Sequence, residues 1–282
     1  MLKPFSFRSR HSYRRWLLYP LLSLVVTLGI WIGSPAASQA VSWFDLIFRG
    51  IQVVQLSSIS DNQEVALGRQ INAQLVGSQV RLYRDRSIND YVNQIGQRLA
   101  AKSDRPKIPY TFQVVDDRSV NAFATMGGFV YVHTGLLKAA DNEAQLASVI
   151  GHEIGHITNR HAVQQMRQTA LARGVAAAAG LDRSTAVQIG VDLALRRPTS
   201  RQDEFEADQT GLRTLGRAGY AESAMVAFME KLLSSRSVPT FLSEHPATGD
   251  RIAALKRAID PRLANGNGLN PADYKAKIRP LL

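Results

Sequence analysis

Past residue 60 the apolar side chains return every three or four positions, the spacing that one face of an α-helix requires. Val65, Ile71 and Leu75 are among the apolar positions of one such helix, and Asp61 with Glu64 three residues on reads as the capping box that opens it. Ile88, Tyr91, Val92, Ile95 and Leu99 mark a second helix over 88–101. The pattern then changes. Tyr110–Val115, bounded by proline, reads as a strand, and Phe129–Val132 as another, set off from NAFATM by a glycine pair. Thr134 caps a short helical piece, and one long helix is expected from Asp141 to about Arg173. Residues 174–200 are rich in Ala and Gly and end in RRPTS, which suits a loop or a lid over a cleft. Helices are expected again at about 201–217, 221–235 and 247–260, and the tail, 261–282, has room for one more. The layout is α+β, mostly helical, with a small mixed sheet and a principal domain over 61–260.

Before residue 60 the pattern serves another purpose. Lys3, Arg8, Arg10, Arg14 and Arg15 precede an uncharged run from Trp16 to Ile32, followed by the small-residue stretch SPAASQA at 34–40. A basic head, an apolar core and small residues at Ser38 and Ala40 form a secretory signal, with cleavage expected after Ala40. The run is also just long enough to stay as an anchor. Either way the chain beyond it is exported, to a periplasm or an equivalent lumen, released or tethered. Arg14-Arg15 loosely resembles a twin-arginine signal. Residues 41–60 form an apolar leader that either associates with a membrane surface or packs on the domain. Its lack of a Lys/Arg-rich face favours packing.

Composition narrows the chemistry. The 282 residues carry a net charge of +11, and the five basic residues of 1–40 leave the rest at +6. No basic cluster interleaved with aromatics accompanies that excess, so no nucleic-acid partner is expected. There is no cysteine, which removes disulfides, a thiol nucleophile and thiolate metal ligands. Any metal must be held by His, Asp and Glu.

HEIGH at 152–156 supplies the first two ligands. His152 and His156 lie four apart on the expected helix and leave the same face, while Glu153 is rotated by about 100°. Glu153 is therefore placed to hold a water beside the metal rather than to bind it. A catalytic zinc needs a third protein ligand and an open position. Glu204 and Asp208, also four apart, share a helix face within SRQDEFEAD. Glu204 can reach the metal while Asp208 accepts the second ring N–H of a ligating histidine. Glu206 falls on another face. His161 is expected to be structural or solvent-exposed, and His133 to bond locally.

HEIGH, EFEAD with its Glu204 48 residues after His156, and HPATGDRI at 245–252 together resemble metallopeptidase family forty-eight, as does NAFATMGGFVYVHTGLL at 121–137. The likeness covers roughly residues 60–260. It implies a zincin-type domain with one zinc per chain on His152, His156 and Glu204, with Glu153 as base and Asp208 behind a ligand. It also implies catalytic roles for His245 and Arg251 near the zinc, His245 either donating to the oxyanion or covering the metal as a fourth ligand. It casts Asn121, Phe129, Val130, Tyr131 and Val132 as an exposed edge strand that takes substrate. The sequence shows neither the multiple spans of the family's prenyl endopeptidases nor room for the helical repeats of its barrel-assembly protease, so neither specialised substrate is expected. The activity implied is zinc-dependent cleavage of unfolded or misassembled envelope proteins. A zinc-bound chaperone that cleaves little, and a zinc hydrolase for a small amide, are the alternatives.

Overall fold

Helix α1, Asp61–Ser78, begins where Ser60 accepts from the backbone of Gln63 and the Gln63 side chain accepts from the backbone of Ser60. The capping box therefore lies one residue before the expected Asp61/Glu64 pair. This frees Glu64 to turn inward, where Arg105 and Arg160 meet it at 2.9 and 3.0 Å. The computed structural model describes residue 56 and residues 58–282, apart from 174–180, 197–199, 236–237 and 247–248. The secretory signal at 1–40 and nearly all of the apolar leader lie outside the described residues. No described helix is long and apolar enough to cross a membrane.

After α1 come α2 (Arg86–Ala100), β1 (Thr111–Val115), β2 (Ala122–Thr125), β3 (Phe129–His133) and α3 (Thr134–Ala139). Then follow α4 (Glu143–Thr158), α5 (His161–Ala172), α6 (Arg183–Arg196), α7 (Arg201–Arg217) and α8 (Ser223–Leu233). Helices α9 (Thr240–Glu244), α10 (Gly249–Ala258) and α11 (Pro271–Lys277) close the described chain with a 3-10 turn at Arg279–Leu281. The fold is mostly helical around one three-stranded mixed sheet, as the polar–apolar pattern requires.

The strand order is β1-β3-β2, with β1 parallel and β2 antiparallel to β3. This overturns the edge-strand expectation. Phe129–Val132 is the central strand, paired on both sides, and every one of its residues is buried. Its alternate side chains feed two cores: Val130 and Val132 join α2, α4, α7 and α8, while Phe129 and Tyr131 join α1, α5 and α6. An unbroken apolar run suits such a strand because both of its faces are covered. Tyr131 also stacks on Phe123 and donates to Asn72. The edge next to α4 is instead β2, which the sequence pattern did not mark as a strand.

Two further expectations change. The long helix from Asp141 to Arg173 is broken: α4 ends at Thr158, and Arg160 takes a left-handed conformation at φ 58° before α5 begins. Asn159 secures the break by donating to the carbonyls of Gly155 and Glu206 and to Thr210. And the stretch expected as a loop or lid contains α6, whose Ala186, Ile189, Val191 and Ala194 are buried in the second core. Those apolar positions anchor it against α1 and α5.

Candidate active site

Three elements carry the ligands to one point. Helix α4 starts at Asn142, which accepts from Gln145 N, and presents His152, Glu153 and His156. Helix α7 starts from a Ser200/Asp203 capping box and presents Glu204 and Asp208. The two helices lie unusually close because small residues face each other. A Cβ at Gly155 would stand 2.5 Å from Ala207 O, and one at Gly211 would stand 2.9 Å from His152 N. His245 follows α9, its N–H on Phe241 O and its ring stacked on Phe241 at 4.8 Å.

The ligand atoms of His152, His156, Glu204 and His245 lie within 4.8 Å of one another, and all four residues are buried. His152 Nε2 is 3.0 Å from His156 Nε2 and 3.4 Å from Glu204 Oε2. Glu204 Oε1 is 3.5 Å from His156 Nε2 and 3.0 Å from His245 Nδ1, which is itself 3.3 Å from His152 Nε2. A tetrahedral zinc with bonds of 2.0–2.1 Å holds its ligand atoms about 3.3 Å apart. The separations here, and the N/O donor set without sulfur, fit that ion. Glu153 stands beside the cluster, its Oε1 3.6 Å from His245 Nε2.

Behind the ligands is a charged support. Asp208 Oδ1 meets His152 Nδ1 at 3.0 Å. Arg251, buried, donates to both oxygens of Asp208 at 2.6 and 2.7 Å and to Pro246 O, and its Nη1 is 2.9 Å from Glu204 Oε2. Arg251, expected to act near the zinc, stands one residue behind it, on Asp208 and Glu204. Its donors are committed to holding the two carboxylates and the backbone beside His245, so it positions the site. Burial opposes charge on Glu204, but hydrogen bonds from His152 and His245 pull its carboxyl far below the usual range. Burial likewise works against the charge of His152, yet Asp208 and Glu204 raise it to about 10. Burial and the neighbouring His152 push His156 well down. Positive charge at this point is what the surroundings are built to hold.

Asn121 precedes β2 and is buried, its amide donating to Glu244 Oε2 at 3.1 Å. It ties the start of the edge strand to the residue before His245. Phe129, Val130, Tyr131 and Val132 do not line the cleft. Phe123, Ala124, Thr125 and Met126 do, together with Glu153, His156, His245 and apolar residues of α1, α5 and α6. His133 bonds locally, to Ser119 at 2.8 Å. His161, expected to be structural or exposed, is buried and meets His156, with Glu206 on its far side. The left-handed residue that makes this contact possible is an arginine, Arg160, rather than the glycine or asparagine that would have marked the helix end in the sequence.

A mostly helical domain with two histidines and a glutamate converging on one point, and a second glutamate next to them on the histidine helix, is the architecture of a zinc metallopeptidase. Residues 87–259, more than half of the chain, match Peptidase family M48, and the chain belongs to that family. It is 35% identical to the beta-barrel assembly-enhancing protease of Escherichia coli strain K12 over 224 residues, 73% of this chain and 46% of that protein. The putative beta-barrel assembly-enhancing protease of Vibrio cholerae is 34% identical over 220 residues, 72% of this chain and 45% of the relative. The mitochondrial metalloendopeptidase OMA1 of Arabidopsis thaliana is 35% identical over 164 residues, 56% of this chain and 33% of the relative. The chain spans about half the length of the bacterial relatives it matches. Zinc is the cofactor of the family, and the four-residue cluster is fit to hold it.

Proposed function

We propose that this chain is an exported endopeptidase that cleaves unfolded or misassembled envelope proteins at a zinc held by His152, His156 and Glu204. The observation that carries the reading is the convergence of these ligand atoms beside Glu153, in a cleft walled by an edge strand. When bound, zinc supplies an acidified water and polarises the scissile carbonyl. Glu153 would accept the proton of that water on its carboxylate and pass it to the leaving amine. Asp208 and Arg251 hold His152 and Glu204 in place, and burial of the whole cluster strengthens every one of these interactions.

Substrate enters as an added strand on β2. His133 N donates to Asn121 O, so in this antiparallel pair the ladder bonds fall on Asn121, Phe123 and Thr125. Ala124, the one residue of β2 that is partly exposed, then turns its N–H and C=O groups away from β3, toward a peptide laid along the edge. Backbone pairing of this kind accepts many sequences, which suits the disposal of misassembled proteins. The names of the bacterial relatives, barrel-assembly proteases, support the envelope as the place of action.

The position of His245 favours a second reading, a zinc-bound binding module with little proteolysis. Its Nδ1 stands among the ligand atoms, where a fourth ligand would displace the water. One experiment separates the two: zinc content and degradation of an unfolded protein, natural chain beside Glu153→Gln. Loss of cleavage with zinc retained supports the peptidase. Equal suppression of aggregation by both proteins, with no cleavage by either, supports the binding module.

A further inference from the structure

His161 and Glu206 lie outside the metal cluster yet extend it. The imidazoles of His152 and His156 point their Nε2 atoms toward each other and toward Glu204, leaving an Nδ1 on the far side of each ring. For His152 that atom meets the Asp208 carboxylate. For His156 it meets another imidazole: Nδ1 of His161 at 2.9 Å, whose Nε2 is in turn 3.2 Å from Glu206 Oε2. A histidine that binds a cation through Nε2 is neutral and keeps its hydrogen on Nδ1. His156 is then the donor and His161 Nδ1 the acceptor. The single ring hydrogen of His161 sits on Nε2 and points to Glu206. Each tautomer is set by the one before it.

We propose that His161 is a positioning residue for the metal, linking the Glu206 carboxylate to His156 as Asp208 is linked directly to His152. The proposal rests on the metallopeptidase reading of the site. The backbone is arranged to make the contact. On an unbroken helix a residue five positions on would lie about 140° round and about 7.5 Å along the axis, out of reach of the His156 ring. The left-handed turn at Arg160 brings His161 back, and Asn159 bonds to Glu206 O, which fixes α7 against that turn. His161 is 1% exposed and both of its ring nitrogens are engaged. The Glu206 side chain is 42% exposed, so solvent weakens its pull relative to that of Asp208.

The test measures zinc affinity of the full chain by competition with a chelator, alongside melting of the zinc-free protein. His161→Phe is expected to weaken zinc binding about 10–100-fold, the usual effect of losing such a partner, without a matching change in zinc-free melting. His161→Gln, whose carbonyl oxygen accepts the same N–H, is expected to recover most of the affinity. Glu206→Ala is expected to cost less than His161→Phe while the chain still fills with zinc when the ion is in excess. Affinity unchanged within about twofold in both His161→Phe and Glu206→Ala would overturn the proposal, as would equal losses in the Phe and Gln variants. If His161→Phe does not fold, Glu206→Ala alone decides, and unchanged affinity there overturns it. Absence of zinc binding by the natural chain would instead defeat the metallopeptidase reading, and the relay with it.

Discussion

Gly155→Ala tests how closely the metal site depends on the approach of α4 to α7. The added Cβ would stand 2.5 Å from Ala207 O, 2.9 Å from Ala207 Cα and 3.1 Å from its carbonyl carbon. Ordinary contact begins at 3.4 Å, so the closest pair is 0.9 Å short, and the obstacle is backbone that no rotamer change removes. The helices must part. Overpacking of this kind costs about 1–3 kcal/mol. At about 2–4 °C per kcal/mol for a domain of this size, melting falls by about 2–12 °C. The metal feels the same displacement, because His152 and His156 stand on one helix and Glu204 on the other, 3.4 and 3.5 Å apart. A shift of that size is a large fraction of a zinc–oxygen bond of about 2.0–2.2 Å, so zinc affinity falls together with stability. The assays are a thermal melt of the zinc-free chain and a chelator competition. Gly77→Ala is the control, since nothing lies within 4 Å of the Cβ it adds. If Gly155→Ala melts with the natural protein and holds zinc equally well, the argument that close helix packing builds the site is refuted.

Glu204→Ala is expected to lose zinc while Glu206→Ala still fills to one ion per chain, as metal analysis of the purified variants will show; the reverse result would mean the third ligand is misassigned. His245→Ala is expected to raise basal proteolysis with zinc retained, since His152, His156 and Glu204 remain. A fall in kcat of about 10²–10³ with zinc retained would instead make His245 a donor to the oxyanion. Ala124→Pro removes an outward N–H and no ladder bond, so it is expected to raise the apparent KM for long peptides with little effect on melting. Unchanged kinetics in a folded variant would count against docking on β2.

How much of this was legible in the sequence varied with the range of the interaction involved. Helices α1, α2, α7, α8 and α10 lie close to where their apolar spacing puts them, because a helix face is a local property repeated every few residues. The residues that could hold a metal were legible for the same reason. His152 with His156, and Glu204 with Asp208, each need only helical spacing to share a face, and a metal accepts few other residue types. The strand roles were not. Both β2 and β3 lie in NAFATMGGFVYVH, and which of them becomes the edge depends on β1 pairing in parallel from earlier in the chain. The one local hint, an unbroken apolar run in Phe129–Val132, marks burial on both faces and is consistent with the central place it occupies. For Arg251 the resemblance implied only a place near the zinc. Only the meeting of α7 and α10 commits its guanidinium to Asp208 and Glu204. His161 is the clearest case. By spacing it leaves the helix on a different face from His156, and a single left-handed residue at Arg160 places it against the ligand. Local spacing determined which side chains could bind a metal. Long-range packing of α7, the helix break and the sheet order decided what supports those side chains and which strand lies at the sheet edge beside them, because those contacts join segments that no local pattern relates.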